Sequence, residues 1–184
     1  VRRFVVGQYE RDAEDKLWFR SVSWTDTMWE YRKPNNHVLY SILARLSHSG
    51  YDPGSDPEKL HFDEVRLRLP SFIAGLAAVP LLGYLLGTLR MRRAGIAAMF
   101  LLAVHPWFLR HGCEARGYPL TLALGPLCLV FLVKALQRGR WRYWAAFGLA
   151  EFLLFYAYPG TIYVLVAMNL GALIAIVATR PRGQ

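Results

Sequence analysis

The chain has 184 residues, 54% of them hydrophobic, and a net charge of +9 from 22 Lys and Arg against 13 Asp and Glu. Residues 1–69 carry 11 basic and 11 acidic side chains, whereas residues 70–184 carry 11 basic side chains and only two acids, Glu114 and Glu151. This layout excludes a basic nucleic-acid-binding domain, which would carry its cations on a charged, water-exposed surface. Cations that separate long apolar runs are typical of a membrane protein.

The first 69 residues are predicted to form one segment outside the membrane. An acidic cluster near its start either supplies a carboxylate that acts as general base or is solvated surface, and it consists of Glu10, Asp12, Glu14 and Asp15. Further on, Asn36 is predicted to cap a helix whose apolar face holds Val38, Leu39, Ile42, Leu43 and Leu46. A helix of about three turns is too short to cross a bilayer and suits the membrane surface.

Five apolar segments follow, and we predict membrane spans near 72–90, 93–111, 117–137, 141–158 and 160–179. Tyr143 to Thr179 is too long for one span, and the chain is expected to break at Tyr158-Pro159-Gly160. The predicted fold is therefore all-α, a polytopic transmembrane helical bundle of about five spans with an extramembrane N-terminal segment that contains an interfacial helix. Two units are expected, the first-loop segment 1–69 and the helical region 70–184.

The basic loops predict the orientation of the bundle. Nine cations and no acid lie in alternate connections, after the first, third and fifth predicted spans. By the positive-inside tendency these connections face the cytoplasm, so residues 1–69 and the turn near 110–117 face outward. There is no initiator Met and no signal peptide, and we expect a membrane helix before this sequence and more spans after it.

The sequence lacks the residue spacings that are typical of metal-binding and nucleotide-binding sites. Cys113 and Cys128 show no paired spacing, and the five histidines show no metal-ligand spacing. There is no glycine-rich nucleotide-binding loop. We therefore assign no metal site and no cofactor, and the need for a divalent metal is left open.

Polar groups at the outer boundary have two interpretations each. Arg116 either binds a phosphate beside the membrane or forms a local ion pair with Glu114 in a solvated turn. Glu64 and Arg68 stand four residues apart, which is also the spacing of a stabilising pair on a helix. Glu151 lies within a span, where it is either functional or held by a hydrogen bond to a neighbouring helix.

The order of short motifs resembles the polytopic GT-C glycosyltransferases, in particular the group of dolichyl-phosphate-mannose–protein mannosyltransferases and bacterial aminoarabinose transferases. The motifs are Pro34-Asn35-Asn36-His37-Val38-Leu39-Tyr40, then Arg68-Leu69-Pro70-Ser71 with Gly75, and finally Glu114-Ala115-Arg116-Gly117-Tyr118. The resemblance covers roughly residues 12–160. It implies transfer of a sugar from a polyprenyl-phosphate-linked donor, on the outer face of the membrane, to a lipid, glycan or protein acceptor.

The resemblance also implies roles for individual residues. Arg116 and Arg68 match arginines that serve the lipid phosphate, and His37 and Tyr40 match the stretch beside the cavity; Glu114 and Tyr118 belong to the Arg116 motif. Family members usually carry Asp-Glu in the first outer loop, whereas this chain has Glu14-Asp15. Asp15 is thus the first choice for the catalytic acid, Glu14 the second and Asp12 the third.

The resulting prediction is an integral-membrane glycosyltransferase whose partners are the lipid-linked donor, the acceptor and membrane lipids, with no nucleic acid. The predicted location is the bacterial cytoplasmic (inner) membrane, with residues 1–69 on its outer side. Two alternatives remain open at this point. One is a flippase or other transporter of lipid-linked glycans, and the other is a non-catalytic GT-C-like scaffold.

Overall fold

The computed structural model describes residues 7–11, 17–21, 24–29, 37–48, 64–112 and 114–179. Two short strands, β1 (Gly7–Arg11) and β2 (Leu17–Ser21), pair antiparallel as a hairpin. The helices are α1 (Trp24–Trp29), α2 (Val38–His48), α3 (Glu64–Thr88), α4 (Arg92–Val104), α5 (Pro106–Gly112), α6 (Tyr118–Arg138), α7 (Trp141–Ala157) and α8 (Ile162–Thr179). The hairpin was not predicted.

The prediction of an all-α membrane bundle is confirmed for the part of the chain that carries the apolar segments. Three helical stretches in the described ranges are long and apolar enough to cross a bilayer, namely Glu64–Thr88, Tyr118–Arg138 and Pro159–Ala178. The helix α7, at 17 residues, occupies the fourth predicted span. A 3-10 turn at Pro159–Thr161 separates α7 from α8 at the predicted break.

The first predicted span begins earlier than expected, because α3 starts at Glu64 and runs through Pro70. A proline inside a helix has no N–H for the carbonyl four residues before it, here that of Arg66. The hydroxyl of Ser47 in α2 donates to the Arg66 carbonyl at 2.8 Å. This interhelical hydrogen bond compensates for the one that Pro70 cannot make, so the helix continues.

The second predicted span, 93–111, is divided into α4 and α5 at His105. This residue has an extended backbone, with φ −70° and ψ 122°. It precedes Pro106, and a residue before proline is disfavoured in the helical conformation. Pro106 then opens α5, a position where its missing N–H costs no hydrogen bond.

Hydrogen bonds near both ends of α3 and α6 show the relative direction of these two helices. Ser71 of α3 bonds the chain just before α6, and Tyr84 of α3 accepts a bond from Lys134 of α6, so α3 and α6 lie side by side and parallel. The helix α4 returns antiparallel along α3, where Gly95 approaches the backbone of Gly83. One end of the bundle, hereafter the His37 end, contains His37, Ser71, Arg116, Tyr118 and Ala157.

The buried core has two parts that share α6 and α7. The first joins α2, α3 and α5 to them through Tyr40, Ala44, Ala74, Ala78, Phe108, Leu120, Ala123 and Ala157. The second joins α8 to them through Cys128, Leu132, Phe147, Ala150, Leu154 and Ala172. Many large apolar side chains on the outer faces of α3, α4 and α8 are exposed in the protein alone, as expected of surfaces that contact lipid.

The predicted amphipathic helix is present as α2, and it is docked on the bundle. Val38, Tyr40 and Ala44 are buried, whereas Leu46, which was predicted to lie on the apolar face, is 54% exposed. The helix contacts α1, α3 and α7. A helix that only lies on a membrane is expected to bury a single apolar face, whereas α2 is contacted on several sides. Asn36, the predicted cap, lies outside the described residues.

Candidate functional site

Two of the recognised motifs meet through a hydrogen bond at the His37 end. The hydroxyl of Ser71, which is fully buried near the start of α3, donates to the backbone carbonyl of Arg116 at 2.5 Å. These residues are 45 positions apart in the sequence. The bond fixes the backbone of the turn from which the Arg116 side chain projects, and that side chain is 58% exposed.

The turn between α5 and α6 gathers cations around one carboxylate. The Oε2 atom of Glu114 lies 2.9 Å from Nδ1 of His111 and 3.5 Å from Nε of Arg116, and its Oε1 atom lies 3.5 Å from Nε of Arg110. The hydrogen bond from His111 is the largest cause that lowers the pKa of Glu114, and the charges around it add to this effect. Glu114 is therefore ionised at neutral pH and holds Arg110 and Arg116 in one cluster with an excess of positive charge.

The local ion pairs expected as alternatives are both present. Glu114 pairs with Arg116, and Glu64 pairs with Arg68 at 2.5 Å on the exposed side of α3. Neither pair buries its arginine, because the side chains of Arg68 and Arg116 stay about half exposed. An exposed arginine that is already paired with a carboxylate can still add a phosphate ligand, since the guanidinium has five N–H donors.

Tyr40 links α2 to the Arg68 motif. Its hydroxyl donates to the carbonyl of Leu67 at 2.8 Å, and its ring is buried. Burial raises the pKa of Tyr40 to about 12, although the nearby charge of Arg68 acts in the opposite direction. Tyr40 is therefore a neutral donor that already has its acceptor, and its hydroxyl positions α2 against α3.

His37 is buried where α2, α6 and α7 meet. Its Nδ1 lies 3.1 Å from the carbonyl oxygen of Ala157. Its ring meets Tyr118 edge-on at 4.8 Å between centroids and Tyr158 at 5.2 Å. Burial is the main cause that lowers the pKa of His37, the bond to Ala157 opposes it, and the charge of Arg116 lowers it further. His37 is thus a neutral imidazole at pH 7.

Aromatic rings surround this site more completely than the motifs indicated. The ring of His111 lies 4.4 Å from Trp107 and 5.5 Å from Tyr118, and Tyr118 lies 6.4 Å from Tyr158. Neither Trp107 nor Tyr158 belongs to the three recognised motifs, and Tyr158 entered the prediction only as part of the expected chain break. Their position in the site depends on the helix break at His105 and on the turn after α7, and no local pattern predicts it.

Glycine 117 was missed as a site residue, although it stands inside a recognised motif. A Cβ atom placed on Gly117 would lie 2.6 Å from Cγ and from Nδ1 of the His37 ring. Its backbone φ is −78°, which any residue adopts, so the requirement for glycine comes from this close approach alone. The absence of a side chain allows His37 to pack against the start of α6.

The structure thus brings together six of the predicted site residues at one end of the bundle: His37, Tyr40, Arg68, Glu114, Arg116 and Tyr118. The predicted catalytic acids Asp12, Glu14 and Asp15 lie outside the described residues. Within the described ranges, no group of three or more His, Cys, Asp or Glu side chains is placed to hold a metal ion. Glu151 accepts a hydrogen bond from Asn169 of α8 at 2.6 Å, which agrees with its interpretation as a partner of a neighbouring helix.

Comparison with known proteins agrees with the resemblance. The family model described as dolichyl-phosphate-mannose-protein mannosyltransferase matches residues 59–182, which is more than half of the chain and includes α3 to α8. Neither the curated proteins nor the solved structures contain a match. On the family match, and with the Arg68 and Arg116 motifs joined at one end of a membrane bundle, the chain belongs to the dolichyl-phosphate-mannose-protein mannosyltransferase family of GT-C membrane glycosyltransferases.

Proposed function

We propose that the protein transfers a sugar from a polyprenyl-phosphate-linked donor to an acceptor at the His37 end of the bundle. The observation that carries the proposal is the placement of Arg116. Its backbone is held by the buried Ser71 hydroxyl while its side chain remains 58% exposed just before the start of α6. A fixed backbone with an accessible cation is what recognition of a phosphate at a membrane boundary requires.

The charge balance of the turn supports a role in stabilising the leaving group. Within the part of the chain that the structure describes, Arg110 and Arg116 share the one carboxylate of Glu114, so their positive charges outnumber it. When the glycosidic bond breaks, the lipid phosphate gains negative charge. Cations already placed beside it favour that charge-separated transition state over the ground state.

The acceptor needs a group that takes up its proton, and we assign this role to the acidic cluster of the first segment. Asp15 is the first candidate, followed by Glu14 and Asp12, on the basis of the family resemblance alone. A carboxylate that orients or deprotonates a hydroxyl is the usual general base for such transfers. The acceptor is a lipid, glycan or protein.

We place the His37 end on the outer side of a bacterial cytoplasmic membrane. The charge distribution supports this assignment, because the described residues at the opposite end of the bundle include no acid but seven cations, Arg90, Arg92, Arg93, Lys134, Arg138, Arg140 and Arg142. Positively charged connections remain preferentially in the cytoplasm. The polyprenyl donor would then reach the site from the outer leaflet.

Replacement of Arg116 by Gln tests the proposal. We expect a loss of transfer of about 100-fold, typical of the removal of one group that stabilises transition-state charge. The matched control is Arg92→Gln, which removes one exposed arginine from the opposite end and should leave transfer unchanged. The measurement is sugar transfer by purified protein in nanodiscs with a polyprenyl-phosphate sugar.

Two results would contradict the proposed function. Full sugar transfer by the Arg116→Gln variant would show that Arg116 is not part of the phosphate site. Movement of the lipid-linked sugar across a proteoliposome membrane without any transfer, by the unmodified protein, would instead support a transporter. Equal expression and equal thermal unfolding of both variants would exclude a general folding defect as the cause of any loss.

A further inference from the structure

The hydrogen bond of His37 determines which of its ring nitrogens carries the proton. Nδ1 lies 3.1 Å from the Ala157 carbonyl oxygen, and a carbonyl oxygen only accepts hydrogen bonds. Nδ1 is therefore the protonated nitrogen of the neutral ring. Nε2 then carries a lone pair and acts as an acceptor, not as a donor.

This Nε2 acceptor is buried and has no hydrogen-bond partner in the described part of the chain. His37 as a whole is only 9% exposed. A buried polar atom that lacks a partner costs about 1–3 kcal/mol, so such atoms are few and each needs an explanation. Among the described residues, the neighbours of the ring that titrate or carry charge are Tyr118, Tyr158 and Arg116, and no hydrogen bond from them reaches Nε2.

The position of the ring connects it to the proposed phosphate site. His37 packs directly on Gly117, the residue that follows Arg116. In the donor, the sugar is bonded covalently to the phosphate, so a phosphate held by Arg116 keeps the sugar hydroxyls nearby. A hydroxyl is a donor, which is what the free acceptor lone pair of Nε2 requires. A phosphate oxygen, being an acceptor itself, does not fit it.

We propose that Nε2 of His37 accepts a hydrogen bond from a hydroxyl group of the donor's sugar, which makes His37 a sugar-binding and specificity-determining residue. This inference rests on the proposed function and assigns His37 to the sugar part of the donor, not to its phosphate. Tyr118 and Tyr158 add aromatic surface beside the His37 ring. Because Nε2 is buried, this proposal requires a neighbouring ring to move when the sugar binds, and we assign that movement to Tyr158, which contacts His37 and lies outside the helices α7 and α8.

Two substitutions test the roles of the two ring nitrogens of His37 separately. In His37→Asn the side-chain amide can still donate to the Ala157 carbonyl, but the Nε2 position is lost. In His37→Gln the longer amide reaches towards the Nε2 position. A purely structural role for the Ala157 contact therefore predicts that His37→Asn behaves like the unmodified protein, whereas the sugar-binding role predicts that it does not.

The experiment compares two probes, polyprenyl phosphate and polyprenyl-phosphate mannose, by binding to the full chain in nanodiscs. We expect the unmodified protein to prefer the mannose-bearing lipid, and His37→Asn to lose this preference by about 5- to 10-fold, the effect of one hydrogen bond. His37→Gln should retain part of it. Thermal unfolding of each variant confirms that it is folded.

The outcomes distinguish this inference from the proposed function. Arg116→Gln should weaken binding of both lipids by the same factor, because both carry the phosphate. The same preference for mannose in His37→Asn as in the unmodified protein, or no preference in the unmodified protein, would overturn the sugar assignment alone. Failure of the unmodified protein to bind either lipid would overturn the proposed function together with it.

Discussion

At the scale of single residues, Ser71 has the clearest effect on the geometry of the site. Its hydroxyl is the contact through which α3 holds the carbonyl of Arg116. The residue is fully buried, so it contributes through this bond and not through contact with a ligand. Ser71 was part of a recognised motif, but a motif does not state which distant carbonyl its serine reaches.

Replacement of Ser71 by Ala should lower both stability and activity. Loss of the hydrogen bond costs about 1 kcal/mol and releases the backbone that carries Arg116. The matched control is Thr88→Val, which removes a hydroxyl that bonds the carbonyl of Leu85 in its own helix, away from the site. Thermal unfolding in detergent and sugar transfer are measured for both. Equal activity of Ser71→Ala and Thr88→Val would show that Arg116 needs no support from Ser71.

The buried ring of His37 makes stability depend on pH. Burial lowers the pKa of folded His37 below its usual 6.5, with Arg116 adding to the effect and Tyr118 and Tyr158 as the other titratable neighbours. Below pH 6.5 the unfolded chain takes up a proton that the folded chain does not, so stability should fall as the pH drops. His37→Asn cannot titrate, and its melting temperature should fall less between pH 7.5 and 5.5. An equal fall in melting temperature for His37→Asn and the unmodified protein over this pH range would contradict the prediction.

At the scale of elements, local patterns predicted which segments are helical but not all of their limits. The helices α6 and α8 and the break at Pro159 follow from long apolar runs and a proline. Local patterns did not predict the early start of α3. The helix continues through Pro70 because Ser47 of another helix donates a hydrogen bond to the carbonyl that Pro70 leaves without a partner in α3. The contact of His37 with Ala157 spans 120 positions, and no pattern of spacing contains it.

The start of α6 is the element on which this contact depends most. Alanine at position 117 would place its Cβ 2.6 Å from the His37 ring, which should cost about 1–3 kcal/mol and separate α2 from α6. The control is Gly148→Ala in α7, where a Cβ meets nothing within 4 Å. That change should be neutral or stabilising by up to about 1 kcal/mol. Unfolding of the two variants in detergent gives the comparison, and equal stabilities would show that His37 moves aside freely.

At the scale of the whole molecule, the two ends of the bundle differ in chemistry. The His37 end combines aromatic rings with the single cluster of Glu114, Arg110 and Arg116. At the opposite end, Lys134 donates to Tyr84 and Arg138 donates to Tyr143, so these cations bond to phenols and not to carboxylates. Seven of the described Lys and Arg side chains therefore lie at the end remote from the site. The apolar exterior between the ends fits a bilayer that separates them.

This arrangement predicts opposite accessibility for the two ends in cells. In a background with Cys113→Ser and Cys128→Ala, a cysteine at exposed Ala115 should react with a membrane-impermeant maleimide in intact bacterial spheroplasts. A cysteine at exposed Gln137, at the opposite end, should react only after permeabilisation, because alternate basic connections remain in the cytoplasm. Both positions should label after permeabilisation, which controls for buried thiols. Labelling of position 137 alone in intact spheroplasts would reverse the orientation and place the proposed phosphate site on the cytoplasmic side.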